Sequence, residues 1–279
     1  MQASFAVVDA KSGRILAEQE AAVKMPPASI TKIWTVYVAL QESTPDEQVR
    51  ISRNASNQEG SSVYLKKGDV WSLESLLYAT MLQSGNDAAV AVAEHVAGSE
   101  EAFVELMNLY VKTAGVQNTW FMNPSGLHHE QHLTTAEDMA RLFRVAIKDP
   151  KFREITNAAS YNPIERSFYW PNKHRLVASG EAIAGKTGFT KAAGRTLISY
   201  FEEDDKQLII VTLAVSNDWE VYRSLKTRVF NEVERVVMDG DYSAQDGIKI
   251  SIQEPYAFLK RKDEKLTNIV YLKKGQTNG

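Results

Sequence analysis

Cysteine is absent from the 279 residues, so disulfides, thiolate catalysis and Cys-ligated zinc are excluded. No stretch of about 20 consecutive apolar residues occurs, which leaves no candidate membrane-spanning helix. No signal-peptide pattern precedes the first strand-like run. An excess of positive charge is missing too. The formal net charge is -3, and nothing points to a nucleic-acid partner. Internal repeats and low-complexity tracts are lacking. What remains, 44% hydrophobic and 24% charged residues, is the composition of a soluble globular protein. The length suits one large domain with an appendage, or two domains.

Two short apolar runs, Phe5-Ala6-Val7-Val8 and Arg14-Ile15-Leu16-Ala17, flank a turn ending at Gly13 and predict a hairpin. From Ala28 to about Leu40 the apolar residues follow helical spacing, with Ser29 in the first turn. Further helices are predicted after Ser72, over Asn86–Val96 and Glu101–Ala114, and from Thr134 or Thr135 to Ile147, the last stopped by Asp149-Pro150. Thr196–Tyr200 and Leu208–Val215 read as strands, and Asp218–Met238 as one long helix. Strands at both ends around a helical middle predict an α+β domain whose terminal strands share one antiparallel sheet. A boundary is expected at Asp239-Gly240-Asp241. It divides residues 1–240 from a short β-like tail, 241–279, with strand-like pieces at Ile248–Ile252 and Asn268–Leu272.

Ser29-Ile30-Thr31-Lys32 carries the sharpest chemical signal. A serine three residues before a lysine at a helix start puts hydroxyl and amine on one face. That gives a weak nucleophile a base within reach. Alone, the pair reads more readily as an N-cap beside a solvated lysine. Two further elements follow in order: Ser84-Gly85-Asn86 and Lys186-Thr187-Gly188. Such a trio marks penicillin-binding proteins and class A β-lactamases, with Gly85 the one departure.

The chain resembles the D-alanyl-D-alanine carboxypeptidases, low-molecular-mass penicillin-binding proteins, over roughly residues 4 to 238. The resemblance rests on Pro26–Lys32, Leu82–Ala88, Asn123–Leu127 with His132 and Thr135–Ala140, and Gly185–Thr190 with Ala193-Gly194. It implies a serine β-lactamase/D,D-peptidase-like fold, an antiparallel sheet and a helical lobe with the cleft between them. It also implies roles. Ser29 attacks the carbonyl between two D-alanines, Lys32 takes its proton, and Ser84 relays a proton to the leaving D-alanine. Asn86 holds the substrate amide and positions Lys32. Lys186 and Thr187 receive the substrate carboxylate, and Gly188 leaves room for the substrate backbone. The N–H groups of Ser29 and Phe189 bind the oxyanion. No cofactor and no metal are implied. The expected partners are peptidoglycan stem peptides ending in D-Ala-D-Ala, and β-lactams as covalent inhibitors. An extracytoplasmic site of action is expected, with the signal peptide and any membrane association missing from this chain.

Alternatives stay open. A D,D-endopeptidase uses the same machinery. A β-lactamase needs a deacylating glutamate with asparagine four positions on, and Glu165 is followed by Tyr169 at that offset, while Glu181 lies too close to Lys186. A non-catalytic penicillin-sensing or peptidoglycan-binding module keeps Ser-x-x-Lys without turnover. His128, His129, Glu130 and His132 form a metal-like grouping, but Pro124 and Gly126 place it in a surface or cleft-rim loop. Tyr169-Trp170 is expected to pack in the core rather than face substrate.

Overall fold

The alternation of the first apolar runs becomes two strands, β1 (Ser4–Asp9) and β2 (Ile15–Gln19), closed by Gly13 at φ +80°. The computed structural model describes residues 3–216, 218–243 and 249–265. A 3-10 turn, Ala28–Thr31, leads into α1 (Lys32–Glu42). Then come β3 (Gln48–Arg50), α2 (Arg53–Ser56), β4 (Val70–Ser72) and α3 (Leu73–Tyr78). A π-helical turn, Ala79–Gln83, connects α3 to α4 (Asn86–Ala97), followed by α5 (Glu100–Thr113) and α6 (Ala136–Ala146).

The remaining elements are α7 (Pro150–Asn157), β5 (Ser160–Tyr161), β6 (Trp170–Pro171) and α8 (Arg175–Ala178). They continue with β7 (Ala184–Thr190), β8 (Gly194–Glu203), β9 (Lys206–Leu213), α9 (Asp218–Glu232), β10 (Val233–Ser243) and β11 (Lys249–Arg261).

The main sheet has the order β2-β1-β9-β8-β7, all antiparallel. As the sequence predicts, the N-terminal hairpin joins the late strands through β1 and β9. Helices α1, α3, α4, α5, α6 and α7 cover one face, and α9 the other. The core between sheet and helical lobe contains Ile30, Ile33, Val36 and Trp34 of the 3-10 turn and α1. Each buried aliphatic side chain there contributes about 1.5–3 kcal/mol. The β7 edge of the sheet therefore faces the loops that begin α1 and α4.

Helix α6 stops ahead of Asp149-Pro150 as expected, and a further helix, α7, that the sequence did not announce starts at Pro150 with Asp149 capping Phe152 N–H, because a helix's first turn has no use for the missing proline donor. One expectation is corrected. The helix predicted over Asp218–Met238 ends at Glu232, and the chain continues as β10. Residues 239–241, where a boundary is expected, lie within β10, at a register shift between Met238 and Gly240. Strand β11 pairs with β10 and is anchored to the main sheet by Leu259 N–H donating to Asp9 and by the Arg14 guanidinium over Phe258. The strand expected at Asn268–Leu272 lies outside the described residues.

Candidate active site

Ser29 sits in the 3-10 turn rather than in the first α-helical turn. That turn is held from below: Thr196 Oγ1 on β8 donates to Pro27 O at 2.8 Å. A side chain on Gly188 of β7 would come within 2.8 Å of Ser29 N. The space at Gly188 is thus taken by the protein's own backbone, a closer fit than the room for substrate that the sequence suggested.

Lys32 is fully buried. Its Nζ lies 3.0 Å from Ser29 Oγ and donates to Asn86 Oδ1 at 2.7 Å and to the Ser125 carbonyl. Burial holds this amine well below the usual lysine range. The cations Lys186 and Lys173 push the same way, and Asp87 opposes them. A neutral amine has two N–H donors and one lone pair. Two carbonyl oxygens can only accept, so they take both donors, and the lone pair is left for the Ser29 hydroxyl.

Ser84 closes the π-helical turn in the left-handed region, φ +59°, a conformation that costs a non-glycine residue about 1–3 kcal/mol. Lys186 Nζ donates to Ser84 Oγ at 3.0 Å and to Thr187 O at 2.8 Å. Burial, aided by Lys173, brings the Lys186 amine down to about 7. Asn86 opens α4. Its Nδ2 donates to Glu59 O at 2.6 Å while its Oδ1 serves Lys32. Next to it, the Asp87 carboxylate accepts from Val63 N, Leu65 N and Ser62 Oγ, and so fixes the 59–65 loop over the cleft.

These elements enclose a cleft of about 340 Å³ in which Ser29, Ser84, Thr187, Gly188 and Phe189 meet. All eight residues singled out from the sequence are thereby brought to one place, Lys32, Asn86 and Lys186 through their hydrogen bonds to its walls. Sequence reasoning missed Ser61, Lys173, Arg175, Arg195 and Trp219, which also line it. None stands in a motif. Lys173 is held by its Nζ donating to Gln83 O at 2.6 Å, and Arg175 lies over the Trp219 ring at 5.8 Å. Among the described lining residues there are three cations and no carboxylate, so the cleft suits an anionic ligand. A larger hollow of about 650 Å³ against α5 is mainly apolar and shares no residue with this group.

His132 departs from the rim position expected of its loop. It is buried, and Met122 N–H donates to its Nδ1 at 3.1 Å. The ring proton therefore sits on Nε2 and donates to Thr31 Oγ1 at 2.8 Å, which ties the 121–133 loop to the turn carrying Ser29. Asn123 Oδ1 accepts from Ser125, Gly126 and Leu127 N–H, aiming the Ser125 carbonyl at Lys32. Glu165 is spent on the start of α3, accepting from Ser72 N at 2.7 Å and Ser75 Oγ at 2.8 Å, and Glu181 pairs with Arg223. Trp170 packs against Trp71 in the core as expected, whereas Tyr169 is exposed.

Comparison with known proteins gives the same direction. A family model for D-alanyl-D-alanine carboxypeptidase matches residues 1–217. The chain is 37% identical over 257 residues to D-alanyl-D-alanine carboxypeptidase DacC of Escherichia coli, an alignment covering 85% of this chain and 60% of that protein. It therefore spans somewhat over half the length of that relative. The crystal structure of D-alanyl-D-alanine carboxypeptidase DacD from Francisella tularensis superposes with a TM-score of 0.82 at 26% identity, covering 93% of this chain and 80% of the other. Penicillin binding protein 5 from Haemophilus influenzae does so with a TM-score of 0.82 at 26% identity, over 93% of this chain and 82% of its own.

Proposed function

The chain belongs to the D-alanyl-D-alanine carboxypeptidase family, and from that premise we propose that it removes the terminal D-alanine of peptidoglycan stem peptides through an acyl-enzyme on Ser29. The observation that carries the reading is the set of partners around the buried Lys32 Nζ: Ser29 Oγ at 3.0 Å, Asn86 Oδ1 at 2.7 Å and the Ser125 carbonyl, of which only the serine hydroxyl has a proton to give a neutral amine.

Lys32 takes the Ser29 proton as Oγ attacks the carbonyl between the two D-alanines, and the oxyanion rests on the N–H groups of Ser29 and Phe189. One such donor is worth about 10²–10³ in rate. Because Lys186 donates to Ser84 Oγ, the Ser84 hydroxyl proton is free to pass to the leaving D-alanine nitrogen. Lys186 and Thr187 receive the substrate carboxylate, and Asn86 holds the substrate amide. Water then releases the shortened peptide from Ser29.

β-Lactams acylate the same serine and leave slowly. The glutamates considered for fast deacylation are engaged elsewhere, which disfavours a β-lactamase. Residues 1–240 are assigned to the catalytic unit and 241–279 to an extension, with β10 carrying the chain across. The site of action is the cell wall, outside the cytoplasm.

The test is D-alanine release from a stem pentapeptide together with labelling by a fluorescent penicillin. Label with release supports a carboxypeptidase. Label without release supports a penicillin-sensing module, and the absence of both refutes the reading.

A further inference from the structure

The loop between β5 and β6, residues 162–169, carries its polarity inside out. Its two charged residues turn inward. Glu165 is bound to Ser72 and Ser75, and Arg166 lies over the Trp71 ring at 5.3 Å while donating to Tyr64 O at 2.8 Å. Three large apolar side chains turn outward: Ile164 is 83% exposed, Tyr169 61% and Phe168 53%. Arg166 also reaches the Phe168 ring at 5.9 Å, so it links the loop to Tyr64 on the neighbouring segment.

Tyr64 is 78% exposed and adopts φ +61°, a backbone that a bulky residue rarely takes. Asp87 enforces it by accepting from Val63 N and Leu65 N, and Ser62 Oγ accepts from Tyr64 N at 2.8 Å. The backbone that carries Tyr64 is therefore fixed from beneath, and Arg166 bridges it to the Phe168 ring. Exposed rings linked in this way on a fixed base mark a binding surface.

The patch adjoins the cleft. Tyr64 follows the cleft-lining Ser61 by three residues, at most about 11 Å of chain. Gln83 joins the other side, donating to Pro171 O just after the loop. A pentapeptide stem places four residues, roughly 13 Å when extended, between the scissile bond and the sugar to which it is joined. We propose that Tyr64, Phe168 and Tyr169, with Arg166 between them, form a platform for the saccharide of the glycan strand that bears the stem peptide. Ring faces stack on the apolar face of a pyranose, as they do on other flat apolar surfaces. This rests on the carboxypeptidase reading and names a second, non-peptide part of its substrate.

The test compares a free stem pentapeptide with the same peptide carried on an N-acetylglucosaminyl-N-acetylmuramyl disaccharide. For the wild-type protein, kcat/KM for D-alanine release is higher on the disaccharide form. In the Tyr64→Ala/Phe168→Ala variant that advantage falls about tenfold, while the free peptide is processed at the wild-type rate. Binding of both ligands to the Ser29→Ala protein gives the same comparison without turnover, so a failure to release D-alanine counts against the carboxypeptidase reading and not against the platform. Equal affinity of the Ser29→Ala protein for both ligands overturns the proposal, as do equal losses on both substrates. Flotation with anionic phospholipid vesicles that the double variant abolishes, with the sugar preference unchanged, overturns it in favour of a membrane surface.

Discussion

Ser29 Oγ and Lys32 Nζ lie 3.0 Å apart, and the other polar partners of that buried amine are carbonyl oxygens. The serine is consequently the one neighbour able to give a proton to the amine. Replacing Lys32 by alanine removes the acceptor. Acylation by a fluorescent penicillin at neutral pH is expected to fall about 10²–10⁴-fold, with the melting transition preserved. Acylation at the wild-type rate contradicts the assignment of the base.

The pH dependence has a defined sign. Lys32 works as a base only when neutral, so acylation falls as pH drops through its lowered value. After burial, the largest cause of that lowering is the charge on Lys186. Lys186→Gln removes a cation and raises the Lys32 value. The acid limb of the relative acylation rate accordingly moves to higher pH. A limb that stays in place or moves down contradicts the electrostatic account.

Two buried imidazoles predict acid sensitivity of the fold itself. His132 and His174 are each pushed from 6.5 to about 3, first by burial. Unfolding restores the ordinary value, so between about 3 and 6.5 the unfolded chain binds the extra protons. The stability that each ring contributes is complete above pH 6.5 and is lost on the way down, by about 1.4 kcal/mol per pH unit. Urea unfolding at pH 7.5 and 4.5 checks it. His174→Asn loses less stability on acidification than the wild type, and an unchanged difference refutes the assignment.

Gly188 offers a steric test. A Cβ there meets Thr196 Oγ1 and comes within 2.8 Å of Ser29 N. Gly188→Ala is expected to cost about 1–3 kcal/mol by overpacking and to slow acylation by displacing the Ser29 turn. A variant with wild-type stability and acylation shows that the turn is held by other contacts.

Much of the site was legible because its chemistry needs particular residue types at fixed spacing. Ser29 and Lys32 share one turn, and Ser84 and Asn86 flank the start of α4. Helix starts were legible where a side chain caps them, as Ser72 and Thr135 do. What escaped depends on partners far away in the chain. Val233, Val236 and Val237 have helical spacing, but pairing with Arg261, Phe258 and Ala257 makes them a strand. Lys173, Arg195 and Trp219 reach the cleft from three separate segments, so no local pattern announces them. His132 looked like one of a surface cluster, and only the approach of Thr31 shows why it is buried.

The most direct test of the central claim is peptide-mapped mass spectrometry of the protein after reaction with benzylpenicillin. The account predicts a single acyl adduct on the peptide that contains Ser29, and none on the Ser29→Ala protein. An adduct on any other residue, or one that survives that substitution, contradicts it.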